Sequence, residues 1–272
     1  MPLATEQIFL FAGIVFVYGL LFGSFFNVLI YRLPAEQSIV FPASHCPICN
    51  HTLSWFENLP VLSYLILSGK CKSCKIKISL QYPLIELATG IYSLLLFWVL
   101  FDKIQWAFNG NWWNFIEVFL QYFTLLLFLP IAIIDIRHYI IPDELTIMGL
   151  VLALAVSFLP DGITPLQSII GAVVGGGFLV LVGLIGKIVL KRNDTMGGGD
   201  IKLLAWIGAL FGFEAALATI FIGSIVGVIV SGILILFKKI DGKKHIPFGP
   251  YLCAGTLLFV TFKKEILQLW GF

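Results

Sequence analysis

AALATIFIGSIVGVIVSGILILF, residues 215–237, contains no ionisable side chain. A membrane-spanning helix needs roughly 20 predominantly apolar residues, and this run supplies them without a break. Runs of spanning or near-spanning length recur upstream at about 8–30, 84–101, 115–134, 144–160, 166–190 and 201–213, and downstream at 246–262. Composition agrees: 59% of the 272 residues are hydrophobic and 12% are charged, against about 25% charged in ordinary soluble domains. A soluble core of this length cannot hide so much apolar surface, so the bilayer is its solvent. The expected fold is an all-α polytopic membrane protein with about eight transmembrane helices. The run at 201–213 is short and predicts a half-buried helix that starts below the membrane surface. No cleaved secretory signal is expected, because the first apolar segment lacks a basic flank and is long enough to span.

Between these runs the basic residues alternate. Arg32, Lys70, Lys72, Lys75 and Lys77, then Arg137, then Lys191 and Arg192, then Lys238, Lys239, Lys243 and Lys244 occupy one set of loops. The opposite set and the C-terminal tail carry only Lys103, Lys263 and Lys264. Lys and Arg favour the cytoplasmic side, which predicts an N-terminus outside and the first set in the cytoplasm. Trp106, Trp112 and Trp113 in the 102–114 loop suit the outer interface, where indole rings settle at headgroup level. The net charge of +2 identifies no partner by itself. Membrane lipid is the expected surrounding, and no nucleic-acid partner is expected.

Two regions follow from this pattern. Residues 1–114 hold one long helix, a polar cytoplasmic insertion at about 31–81 and a second helix; residues 115–272 form a helix bundle with short loops. No repeat of 20–50 residues is visible. Gly175-Gly176-Gly177 and the small residues of 223–232 read as close helix packing rather than chemistry.

Four of the five cysteines lie in the insertion as two CxxC pairs, Cys46/Cys49 and Cys71/Cys74, with 21 residues between the pairs. Two such knuckles can set four thiolates tetrahedrally around zinc, at about 2.3 Å each. Persistent disulfides are not expected in the cytoplasm, so zinc is the favoured reading. A four-thiolate site is closed, and its metal is structural: it folds the insertion. His45 and His51 are not needed as ligands, and Cys253, in an apolar run, reads as a small buried hydrophobe.

Asp135 ends the run IAIID, and Asp200 follows Gly197-Gly198-Gly199 and opens IKLLAWIGALFG. Ionisable residues near membrane depth are costly and usually functional, although a carboxylate at a helix start also serves as a cap. The glycines admit a close backbone approach or unusual φ angles, which suits a protease that presents an extended peptide to its acids. Two neighbouring carboxylates share a proton: the ionised one activates water and the protonated one donates to the scissile carbonyl. Asp143, in IIPDELT, competes with Asp135 for this role and also reads as a helix start. Spacing does not choose between them.

The sequence resembles the bifunctional prepilin peptidases, or type IV leader peptidases. The stretches that carry the likeness are GSFFNVLIYRLP (23–34), HCPICNHTLSWFENLPVLSYLILSGKCKSCKIKIS (45–79), YPLIELATG (82–90), DIRHYIIPDELT (135–146), MGGGDIKLLAWIGALFG (196–212) and IPFGPYLCAG (246–255). Gln81 and Ser68 stand where Arg is common. The resemblance implies a GxGD membrane aspartyl protease of the bacterial inner membrane that cuts type IV prepilin or pseudopilin precursors after a glycine at the cytoplasmic face. It assigns catalysis to Asp135 and Asp200, and support to Gly197, Gly198, Gly199, Asp143 and Lys202. It further implies N-methylation of the new N-terminus with S-adenosylmethionine. Glu86 and Gly90 lie in the stretch tied to methyl transfer, where Glu86 reads equally as a residue that positions the second helix. A peptidase without methyl transfer is the alternative. A thiol oxidoreductase would need the cysteines on the oxidising side, and a proton-coupled transporter shows no inverted repeat here.

Overall fold

The computed structural model describes residues 4–110, 112–160, 162–190, 196–237 and 246–270. Lys191, Arg192, Lys238, Lys239, Lys243 and Lys244, which carry much of the charge asymmetry, lie outside the described residues. Among the described residues the regular structure is helical. Two isolated β-bridges, His45–Thr52 and Lys70–Lys77, sit in the cysteine insertion. The chain divides into two units, residues 1–101 and 102–272.

In the first unit α1 (Thr5–Arg32) packs along α3 (Gln81–Val99), and the short α2 (Leu62–Ile66) lies in the insertion between them. Small residues set the approach of the two long helices. A Cβ on Gly23 would stand 2.6 Å from the Glu86 Cα, and one on Gly90 would stand 2.8 Å from Leu20 and Phe16 carbons. Polar side chains lock the register: Ser93 Oγ donates to the Val15 carbonyl at 2.7 Å, and Asn27 Nδ2 to the Tyr82 carbonyl at 3.1 Å. Phe9, Ile14, Val17 and Leu21 of α1 are exposed, as lipid-facing side chains are.

The second unit contains α4 (Phe101–Asn109), α5 (Trp112–Leu126), α6 (Phe128–His138), α7 (Asp143–Val156), α8 (Pro165–Leu190), α9 (Gly198–Phe211), α10 (Phe213–Leu236), α11 (Gly249–Thr261) and α12 (Lys263–Leu269). At its centre is α9, whose Leu203, Leu204, Trp206, Ile207 and Ala209 are fully buried. Gly208 of α9 meets Gly171 of α8 backbone to backbone, and Gly149 of α7 lies flat under the Trp206 indole. Gly175 approaches the Leu204 carbonyl, whereas Gly177 and Gly232 face open space.

Among the described residues five segments are long and apolar enough to cross a membrane: Thr5–Ala35, Gln81–Val99, Trp112–His138, Pro165–Val189 and Phe213–Leu236. The helices α7, α9 and α11 have only 14, 14 and 13 residues. At 1.5 Å per residue that is about 20 Å, short of a hydrocarbon core of about 30 Å. The protein is thus an all-helical, multi-pass membrane protein, with five long candidate spans and the shorter apolar helix Gly249–Thr261 among the described residues. One expectation needs correction: the 102–114 loop is mostly helix, because Phe101, Ile104 and Phe108 recur at helical spacing among polar neighbours. The 115–134 run stands within one candidate span, Trp112–His138, interrupted by a single turn residue at Leu127 between α5 and α6, where Pro130 has no N–H to give to the preceding turn.

Candidate aspartate site and cysteine cluster

Asp135 lies in the last turn of α6, which Tyr139 ends by entering the left-handed region (φ +57°) and donating its N–H to the Asp135 carbonyl. The Asp135 carboxylate is buried, and its Oδ2 accepts the Gly249 N–H at 2.9 Å. Gly249 is the first residue of α11 and Pro250 follows it, so Asp135 satisfies one orphan donor at the positive end of that helix. A Cβ on Gly249 would stand 2.7 Å from Asp135 Oδ2.

Asp200 occupies the first turn of α9, after Gly197 as N-cap. Its Oδ1 is buried with no hydrogen-bond partner. A Cβ on Gly197 would come within 2.7 Å of Asp200 Oδ2, and one on Gly199 within 2.7 Å of the Ile141 Cβ. Ile141 also lies 3.0 Å from where a Gly249 Cβ would be, so one side chain packs both glycine-bearing helix starts. The two carboxylates are in electrostatic reach of each other, and both reach the buried Cys253 thiol. Gly198 has nothing within 4 Å of its Cβ position. The glycines therefore serve close approach and open space, with no positive φ among them.

Asp143 begins α7 behind Pro142, as the Pro-Asp-Glu order predicts, and both its oxygens take the Lys202 Nζ at 2.6 Å. This ion pair is half-exposed. Asp143 is thus committed to Lys202, and Asp135 is the carboxylate in electrostatic reach of Asp200.

The cysteine insertion repeats one local design. Cys46 N–H donates to the His51 carbonyl and Cys71 N–H to the Ile76 carbonyl, while Asn50 and Lys75 N–H groups return to the carbonyls of Cys46 and Cys71. Asn50 and Lys75 both hold positive φ, 54° and 60°. These matched knuckles bring the four sulfurs within 4.8 Å of one another, with Cys46–Cys74 at 3.8 Å and Cys49–Cys71 at 4.0 Å. Sulfurs around a tetrahedral zinc at about 2.3 Å stand about 3.8 Å apart, so the set fits a metal ion. The Cys49 and Ile48 N–H groups lower the Cys46 thiol to about 6, which favours the ligating thiolate. The Ile76 N–H favours the Cys74 thiolate too, but burial and the neighbouring sulfurs push it up to about 11. Behind the first knuckle, His51 Nε2 meets Glu57 at 3.2 Å.

Glu86 is buried on α3, and its Oε2 accepts the Val61 N–H at 2.7 Å. Val61 is β-branched and sits at φ +61°, a strained conformation. Gly90 lies in the crossing of α1 and α3. Sequence reasoning missed Gly249 and Ile141. The one signal was Pro250 directly after Gly249, which marks a helix start.

Residues 17–100 match the Bacterial Peptidase A24 N-terminal domain, and residues 120–232 match the Type IV leader peptidase family. A protein from Stutzerimonas stutzeri is 34% identical over 273 residues, covering 92% of this chain and 90% of that protein. The chain belongs to the type IV leader peptidase family. A member from Pseudomonas aeruginosa is 33% identical over 281 residues, covering 93% of this chain and 92% of its own length. Another, from Myxococcus xanthus (strain DK1622), is 38% identical over 228 residues, which is 84% of this chain but only 64% of that longer protein. All three are named prepilin leader peptidase/N-methyltransferase. No solved structure matches the chain.

Proposed function

We propose that this leader peptidase cleaves type IV prepilin-like precursors, pilins or pseudopilins, and N-methylates the residue it exposes. The observation that carries the peptidase reading is Asp200 in the first turn of α9, within electrostatic reach of Asp135. The Asp135 carboxylate takes the N–H at the start of α11, and Ile141 packs against both helix starts. One carboxylate of the pair is ionised and takes a proton from water; the other is protonated and donates to the scissile carbonyl oxygen. The water oxygen bonds to the carbonyl carbon, the C–N bond breaks, and the amine leaves with a proton. Gly198, open on its Cβ side, gives the substrate backbone access to the acids, and Lys202 holds Asp143 so that the start of α7 stays fixed.

In this reading the N-terminus is outside and the short helices complete eight membrane segments. The insertion and the aspartates face the cytoplasm at the inner membrane. The basic leader stays in the cytoplasm, the apolar stem enters the bilayer, and the bond after the leader's glycine lies at interface depth. Cys46, Cys49, Cys71 and Cys74 hold zinc, which cross-links the insertion. S-adenosylmethionine supplies the methyl group that joins the new amine. Mass spectrometry of a co-expressed prepilin tests both activities in one spectrum. Loss of the leader with one added methyl is expected; an uncut precursor contradicts the peptidase, and a cut, unmethylated product contradicts the transferase.

A further inference from the structure

The cysteine insertion holds several apolar side chains outward through its own hydrogen bonds. At the end of α1 the buried Arg32 guanidinium donates to the Ser38 carbonyl at 2.9 Å and to the Pro42 carbonyl at 2.8 Å. Ser38 Oγ in turn accepts the Val40 N–H at 3.3 Å and the Phe41 N–H at 3.2 Å. What this clamp presents is Val40, 67% exposed, and Phe41, 76% exposed. The short α2 repeats the pattern. Glu86 holds the N–H of the strained Val61 directly before it. Leu62, Leu65 and Ile66, which share one helix face at i, i+3 and i+4, are all exposed. This helix packs on the turn Trp55–Asn58, where Trp55 is 79% exposed and meets Phe56 edge-on. The Lys72 Nζ lies 4.5 Å from the centre of the Phe56 ring.

Ordered apolar side chains grouped at a surface mark an interaction site, and three observations say that lipid covers this one. Glu86 lies five residues inside the candidate span Gln81–Val99, about 7 Å along the helix, so the start of α2 is tied level with the spanning part of α3. The Val40–Phe41 loop is tied to Arg32, which lies within the span Thr5–Ala35. Exposed Tyr31 on one side of the insertion, and Leu80, Tyr82 and Leu84 on the other, continue the apolar surface into α1 and α3. The exposed charges of residues 38–80 are Lys70, Lys72, Lys75 and Lys77, because the one acid there, Glu57, is buried against His51. Apolar side chains beside a set of lysines match an anionic lipid surface, whereas the same lysines repel a basic leader peptide. We propose that the insertion lies on the bilayer instead of projecting from it. Val40, Phe41, Trp55 and the Leu62/Leu65/Ile66 face of α2 sink into the boundary between headgroups and acyl chains. Lys72 and its neighbours reach back to anionic phosphates.

The test is photolabelling of the intact wild-type enzyme, one copy per nanodisc, in phosphatidylcholine and phosphatidylglycerol that carry a diazirine on the acyl chain. Peptide mapping should find adducts on Phe41, on Trp55 and on residues 62–66, at yields comparable with those on the exposed Phe9 and Ile14 of α1. Adducts confined to the spans overturn the proposal. So does labelling of the insertion that disappears with two copies per disc, which gives this face to a second copy, or on addition of prepilin, which gives it to the substrate. Leu65→Glu combined with Ile66→Glu should lower adducts on residues 62–66 to about a tenth of wild type while those on Phe41 persist. Unchanged labelling of 62–66 in that variant overturns the proposal as well.

Discussion

Gly249→Ala isolates the geometry of Asp135 from its chemistry. The new methyl would stand 2.7 Å from Asp135 Oδ2 where ordinary contacts begin at 3.4 Å, so the carboxylate must retreat by about 0.7 Å. That retreat weakens the 2.9 Å bond from the Gly249 N–H, and a hydrogen bond to a charged group contributes about 1.5–3 kcal/mol. Misplacing a reacting group by about 1 Å costs about a hundredfold in rate. The expectation is a kcat for leader cleavage lowered by about ten- to a hundredfold, with KM nearly unchanged. Stability falls as well, because the added methyl also stands 3.0 Å from Ile141 Cδ1 and overpacking costs about 1–3 kcal/mol, which the gain of about 0.4–1 kcal/mol through the unfolded chain offsets only in part. The assay is cleavage of a purified prepilin in detergent, run beside a melting curve of the same variant. A kcat within twofold of wild type would refute the reasoning, since it would mean that the position of Asp135 does not govern the rate.

Three further outcomes follow from other parts of the molecule. Cys46→Ser removes one sulfur from the tetrahedral set, so the insertion should lose its zinc and become protease-sensitive; full metal content in the variant would contradict the zinc reading. The Ser54 N–H and the His51 imidazole hold the Glu57 carboxyl below the usual carboxylate range, so its stabilising contribution is present above about pH 4.3 and is lost as pH falls through the lowered folded value. The melting-temperature gap between wild type and Glu57→Gln should therefore close in that acid window, and a constant gap from pH 7 downward would count against it. Gly208→Ala drives a methyl into the Gly171 carbonyl, and should cost about 1–3 kcal/mol of stability as overpacking, read as a lower melting temperature; no shift would mean that α8 and α9 are not in close contact.

Long apolar runs made the long helices legible, because length and hydropathy alone decide whether a segment suits the bilayer. The short helices were harder. In α7 and α11 the apolar runs extend into turns and neighbouring segments, so run length overstated those helices, and only the brevity of 201–213 was visible. The break at Leu127 was concealed because its flanking residues are as apolar as the helices they divide. The cysteine spacing already implied paired knuckles, whereas the matched positive φ at Asn50 and Lys75 is a backbone property that Lys in particular does not advertise. At the candidate site, the pattern around Asp135, Asp143 and Asp200 could not say which carboxylates meet. That depends on Gly249, whose N–H holds the Asp135 carboxylate, and on Ile141, which packs against both helix starts; the two lie far from one another in sequence.

The central claim is that Asp135 and Asp200 act as one acid pair, and replacing each by Asn tests it most directly. Asp135→Asn and Asp200→Asn should each insert, retain zinc and release no mature pilin when purified enzyme and prepilin are mixed in vitro. Mature pilin at a rate within tenfold of wild type from either variant would contradict the account.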